Sequence, residues 1–275
     1  ARFFFQADTS QPLEAFVPKL TSLTFQEKLG SMLDKTRRIE CLIPKLLDEE
    51  VSSIGAFISR QGVNIALRAA HLCKADLATQ MVVEFTSLQG IMGREYALRS
   101  GEDPCVARAI YRHYLPRGAH DDIPIEDGNR RPPDMPAVIL ALADRLDTLA
   151  GLFAVGLKPT GSADPYGLRR QALGLVRILI EKHGIHFSLR EGIRRAAEGL
   201  PVEMTEEAQN ELWEFIVQRL RCLTRMIGVR YDRADAVLAE RGDNPWVASL
   251  WARELEGWIY HNSVTFQELL PAYAR

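Results

Sequence analysis

Apolar residues recur at helical spacing along almost the whole chain, and that pattern restricts it to an all-α fold. Strand-like alternation is confined to Arg2 to Phe5. The first strong helix is expected at the capping box Thr24-x-x-Glu27, running on with Leu29, Leu33, Ile39 and Leu42 as its apolar stripe. Lys45 to Ser59 and Gly62 to Cys73 continue the pattern. Lys74 to Phe85 repeats it, with Leu77, Met81 and Phe85 in register. One ionisable residue, Asp76, stands beside that stripe, roughly a 100° step from Leu77. Gly90 and Gly93 then break the run.

Asp103-Pro104 is an N-cap followed by a first-turn proline, opening a helix to about Tyr114. Pro116 to Pro136 carries five prolines and the acidic pair Asp121-Asp122, and reads as a long surface loop. Helix returns at Ala137 to Phe153, with Asp144 and Asp147 three apart on one face. Gly156 to Gly161 is a turn, and Asp164-Pro165 starts a helix to His183. Further starts are expected at Ser188-x-x-Glu191, Thr205, Asn244-Pro245 and, for the last helix, Thr265. A boundary near Gly199 to Thr205 divides a main helical domain, 1–200, from a helical extension, 201–275.

With a net charge of −2, bulk charge does not advertise nucleic-acid binding. Arg outnumbers Lys 27 to 7, a bias that a GC-rich genome also produces. The four cysteines (Cys41, Cys73, Cys105, Cys222) show no metal spacing; Cys41, Cys73 and Cys222 sit among apolar neighbours as core thiols of a reducing compartment. No apolar run is long enough to span a membrane, which points to a cytoplasmic protein. The chain opens ARFFFQADTS, without methionine, as expected of a segment from a longer polypeptide.

Asp76 and Asp144 are the carboxylates embedded in apolar helical runs. Packed together, two such helices would create a metal site or an acid–base pair. A salt bridge or helix cap is the favoured explanation, because no histidine lies close enough in sequence to support a metal. His71 sits among Ala70, Leu72 and Cys73 as a satisfied core residue, and His113, His120, His183, His186 and His261 lack ligand spacing. GLKPTGS, Gly156 to Ser162, is not a phosphate loop, because its spacing is wrong and no strand precedes it. Lys158 with Arg169 and Arg170 is nonetheless a candidate for backbone contacts to RNA, with Arg37-Arg38 and Arg130-Arg131 behind it; a solvated helix start accounts for Lys158, Arg169 and Arg170 as readily.

Three stretches together resemble one family. They are FQEKLGSMLDKTRRI (Phe25 to Ile39), KADLATQMVVEFTSLQGIMGREYAL (Lys74 to Leu98) and ALADRLDTLAGLFAVGLKPTGSADPYGLRRQALGLVRIL (Ala141 to Leu179), supported by HYLPRGAHDDIP (His113 to Pro124). They are similar to the beta subunit of bacterial heterotetrameric glycyl-tRNA synthetase, and the similarity extends from Ala1 to about Leu238. The resemblance implies a segment of a glycine–tRNA ligase, a cytoplasmic enzyme that uses ATP and magnesium. Its partners would be an alpha subunit that holds the aminoacylation site and the tRNA for glycine. The segment itself would bind tRNA and act as a scaffold, without cofactor, metal or catalytic residues of its own.

The resemblance also implies a fold like the HD domain of metal-dependent phosphohydrolases. Such an enzyme needs an early His, a His-Asp pair and a later Asp. Here the pair reads Ala75-Asp76, the later residue is Asp144, and the early helix from Glu27 to Ile39 has no His. Two carboxylates without imidazoles make a poor transition-metal site. Ala75, Asp76 and Asp144 are therefore expected as vestigial positions, with Lys35, Lys74 or Arg145 neutralising the carboxylates. A phosphohydrolase and a purely structural interaction module are the alternatives.

Overall fold

The computed structural model describes residues 2–118, 121, 134–181 and 184–265. Among them the fold is all-α apart from one two-stranded antiparallel sheet. Helix α1 (Arg2–Asp8) precedes a 3₁₀ stretch, Leu13–Ser22, and the strands β1 (Thr24–Gln26) and β2 (Gly30–Ser31). Then come α2 (Met32–Leu46), α3 (Arg60–Leu72), α4 (Gln80–Glu84), α5 (Ile91–Arg99) and α6 (Pro104–Arg112). The later helices are α7 (Met135–Ala154), α8 (Leu168–Glu181), α9 (Leu189–Ala197), α10 (Glu206–Met226), α11 (Tyr231–Arg241) and α12 (Pro245–His261).

Every residue of α7 from Ala137 to Asp147 is buried. A helix that is apolar all round has to be enclosed by others. Helices α2, α3, α6, α8, α9 and α10 enclose it. Beyond Gly199, α10 packs on α7, α8 and α9, and its Leu212, Ile216 and Leu220 join the same apolar core as Leu140 and Leu146. None of the described helices is long and apolar enough to cross a membrane.

Several local expectations fail for identifiable reasons. Arg2 to Phe5 is helical, because Phe5 packs against Tyr96 and Asp8 is needed at the end of the turn. The Asp8 carboxylate accepts from the amides of Gln80 and Met81, each at 2.9 Å, and from the Tyr96 hydroxyl at 2.9 Å. Thr24 lies on β1, not at a helix start. The Gln26 side chain accepts from the Lys28 amide at 2.7 Å and closes a turn there, so α2 begins at a second capping box, Ser31 with Asp34. Lys45 to Ser59 is not a helix. Around Ser52 the backbone is extended and pairs with Phe187, the Ser188 amide donating to Val51 O at 2.8 Å.

Lys74 to Phe85 is interrupted at Thr79, whose extended backbone ends a 3₁₀ turn, Ala75–Ala78, and caps α4. Helix α8 starts only at Leu168, where the Asp164 carboxylate receives the amides of Leu168 and Arg169 at 2.8 and 2.9 Å. Cys73 is buried, whereas Cys41 and Cys222 are exposed, one step off the apolar stripes of α2 and α10. Arg130-Arg131, most of the proline-rich loop and the helix expected after Thr265 lie outside the described residues.

His71 is half-exposed and not a core residue. Its Nδ1 lies 2.9 Å from Glu40 and its Nε2 2.8 Å from Glu14, tying α3 to α2 and to the first 3₁₀ stretch. The hydrogen bond to Glu40, reinforced by Glu14 and opposed by partial burial, raises His71 to about 9 from 6.5. A raised histidine contributes stability that is full below 6.5 and lost as pH rises through about 9. His71→Gln is expected to flatten the fall in melting temperature across that window. An unchanged slope in the variant would assign it to other groups.

A buried charge centre as the candidate functional site

Lys35 on α2, Lys74 before the Ala75–Ala78 turn, His113 at the end of α6, and Asp144 and Asp147 on α7 converge in the interior. Each is less than a tenth exposed, so every charge there must be matched by a partner. The Lys74 ammonium donates to Asp144 Oδ2 at 2.8 Å and to His113 Nε2 at 3.0 Å. It also lies 4.3 Å from the centre of the Tyr114 ring, so all three of its directions are occupied. Lys35 donates to Asp147 Oδ2 at 2.9 Å, Thr148 Oγ1 at 2.8 Å and the Asp144 carbonyl at 3.3 Å. Its three protons are thereby used. Asp144 Oδ1, at 3.0 Å, receives its charge but no hydrogen bond. Arg38 completes the group by donating to Asp147 Oδ1 at 2.6 Å.

The protonation states follow from these contacts. His113 Nδ1 lies 2.7 Å from the Ile110 carbonyl, which only accepts, so Nδ1 carries the proton and Nε2 offers its lone pair to Lys74. Burial, and then the Lys74 charge, hold His113 well below its ordinary value, so the ring is neutral. Burial alone would raise Asp144. The ammonium groups of Lys35 and Lys74 outweigh it and keep Asp144 well below the usual carboxylate range. Burial also pushes the Cys73 thiol up to about 12, leaving it an inert neighbour.

Asp76 is held differently. Its Oδ2 accepts from the backbone N–H groups of Gly90 at 2.6 Å and Gly93 at 3.1 Å, at the start of α5. This explains the two glycines in the sequence. Gly90 has φ of 78°, a backbone that side chains rarely adopt, and a Cβ on Gly93 would lie 2.8 Å from Ile110 and 3.1 Å from the carboxylate itself. Asp76 Oδ1 has no hydrogen-bond partner among the described residues. Burial raises Asp76 to about 6, against the pull of the Gly90 N–H and the Lys74 charge. Among the described residues no cation forms an ion pair with Asp76, and Arg145 pairs with neither carboxylate. Arg145 donates instead to the carbonyls of His113, Tyr114 and Pro116 at 2.8, 3.2 and 3.1 Å, closing the C-terminal end of α6. Ala75 is fully buried in the turn beside Asp76.

The outlying candidates do not join this centre. Lys158 is exposed and pairs at the surface with both oxygens of Glu211 at 2.8 Å, away from the centre. Arg169 folds back onto the carbonyls of Ala163 and Gly161 at 3.3 and 2.5 Å, and Arg170 is exposed. His113 escaped sequence reasoning because it sits in no ligand motif. One signal was present: Val106, Ile110 and His113 follow at helical spacing on the buried side of α6.

A divalent metal, as the phosphohydrolase alternative would require, does not fit this donor set. Between the one imidazole and the nearest carboxylate stands an ammonium, which has no lone pair and repels a cation. Among the described residues no group of three or more His, Cys, Asp or Glu is placed to hold a metal ion.

The sequence profile of a family described as "Glycyl-tRNA synthetase beta subunit" matches residues 1–239. The glycine–tRNA ligase beta subunit of Clostridioides difficile is 39% identical over 278 residues, covering 100% of this chain and 38% of that protein. The corresponding subunit of Desulforamulus reducens is 42% identical over 280 residues, with 100% and 38% covered. A chloroplastic/mitochondrial glycine–tRNA ligase of Arabidopsis thaliana is 36% identical over 275 residues, covering 100% of this chain and 24% of that protein. The chain thus spans a little over a third of these bacterial relatives' length.

Proposed function

Because this chain belongs to the glycyl-tRNA synthetase beta-subunit family, we propose that it is the scaffolding and tRNA-binding segment of a ligase that joins glycine to its tRNA. In this reading ATP, with magnesium, is used on a partner alpha subunit that carries the aminoacylation site. Two alpha and two beta subunits form a cytoplasmic heterotetramer. The segment has no cofactor and no catalytic residue of its own, and residues 1–200 form an HD-like domain with 201–275 as its helical extension.

The carrying observation is the state of the buried centre. Lys35, Lys74, Asp144 and Asp147 match their charges to one another, and the neutral His113 gives its lone pair to Lys74, so none of these five is left to move a proton or activate water. That arrangement supports a centre that joins α2, α6 and α7, and it weakens the phosphohydrolase alternative.

The test uses the assembled enzyme with Asp144→Asn in the beta subunit, assayed well below its melting temperature. Aminoacylation per folded enzyme is expected to change by no more than a few fold. A fall of about 10²-fold or more in kcat, with folding intact, would give the centre a chemical role. Metal analysis of the purified enzyme under the same conditions should show no divalent ion that is lost on replacing Asp144.

A further inference from the structure

Arg219, Arg221, Arg225, Arg230 and Arg233 fall within fifteen residues of a chain whose net charge is −2, with Asp232 as the only acid between them. They flank the turn from α10 to α11, which also exposes Met226 (71%), Ile227 (51%) and Tyr231 (63%). Resting on the ligase-subunit reading, we propose that this turn is an RNA-contact surface. Arg219, Arg225 and Arg230 meet phosphates, and Tyr231 stacks on an unpaired nucleotide of the tRNA.

The helix dipole explains only part of the charge. It favours cations in the last turn of a helix, which accounts for Arg225. Arg219 and Arg221 lie deeper in α10, and Arg230 and Arg233 stand at the start of α11, where the dipole favours acids. Internal pairing explains another part. Arg233 pairs with Glu256, and Arg221 lies 2.6 Å from Asp235. The Arg230 pair with Asp232, at 3.1 Å, is exposed on both sides (60% and 47%) and is weak enough to exchange for a phosphate. The Arg225 side chain has no acidic or hydrogen-bonding partner among the described residues, and the Arg219 guanidinium has only Gln218 as a hydrogen-bond partner and the Phe215 ring beneath it.

Guanidinium groups without an acidic partner or with a weak one, on the same turn as an exposed tyrosine, match the chemistry of RNA. Phosphates take forked Arg donors, and bases that have left a helix stack on tyrosine. Arginine, methionine and tyrosine are also enriched at protein interfaces, so what favours RNA is the excess of guanidinium over carboxylate at this turn, and subunit assembly is the readout that separates the two occupants.

Binding of tRNA to the assembled enzyme is measured across a salt series. The double variant Arg225→Ala, Arg230→Ala is expected to weaken binding about tenfold and to reduce the salt slope by about 1–2, since each phosphate contact contributes roughly 0.7–0.9. Tyr231→Ala is expected to weaken binding about tenfold without changing the slope, and Tyr231→Trp to restore it. Unchanged affinity and slope in the double variant overturn the assignment. So does loss of subunit assembly, which would make the turn a protein interface, or an equal slope change in Arg60→Ala, an exposed arginine on α3. If the unsubstituted enzyme itself fails to bind tRNA, the ligase-subunit reading falls first, an outcome visible without any variant.

Discussion

Replacing Asp144 by asparagine is expected to lower the stability of the folded chain by about 3–5 kcal/mol, the range seen when one member of a buried ion pair is removed. The substitution keeps the shape and removes the charge. Lys74 is then left with the His113 lone pair and the Tyr114 ring, neither of which carries a full negative charge. Lys35 suffers less, because Asp147 and Thr148 still hold it. The Asp144→Leu, Lys74→Met double variant should recover much of the loss, since it removes both desolvated charges together. Urea unfolding at neutral pH measures both. A loss below about 1 kcal/mol for Asp144→Asn would mean that the Lys74 ammonium reaches water.

Asp76 is expected to behave in the opposite sense with pH. Its folded value of about 6 lies above the ordinary 3.8, so between those values the folded chain binds the extra proton. By linkage, stability then falls as pH rises through the window, and the full effect is roughly 3 kcal/mol. Asp144 does not mask this. Its depressed value makes a contribution that is present above 3.8 and lost only at lower pH.

Two substitutions separate the charge of Asp76 from its hydrogen bonds. Asp76→Asn can set its amide oxygen where Oδ2 now accepts from Gly90 and Gly93. It should cost less than about 1 kcal/mol at pH 7 and abolish the slope between pH 4 and 6. Asp76→Ala leaves both N–H groups buried without an acceptor and should cost about 2–4 kcal/mol. Equal losses in the two variants, with the slope retained, would remove Asp76 as the source.

The all-α class and α7 were legible because burial on every side leaves a continuous apolar run, and Thr205 and Asn244 marked their helices by ordinary cap chemistry. The start of α2 was not legible. Thr24-x-x-Glu27 and Ser31-x-x-Asp34 both resemble caps, and only the pairing of β1 with β2 selects the second. The region around Thr79 failed for a related reason: the Asp8 carboxylate that holds α4 comes from α1, more than seventy residues away. Within the candidate site, Asp76 and Asp144 stood out as carboxylates on apolar runs. Lys35 and Lys74, expected as neutralising cations, do pair with Asp144, whereas the partners of Asp76 stayed hidden, because the backbone N–H groups of Gly90 and Gly93 carry no periodic signature.

The Lys74 ammonium has one further consequence. It bridges an imidazole and a carboxylate, as a bound ion would, yet it is part of the polypeptide. Its stoichiometry is therefore fixed at synthesis. A chelator cannot strip it, a competing metal cannot displace it, and the interior matures without a loading step. The junction of α6 and α7 thus owes nothing to the cell's supply of divalent ions at this position.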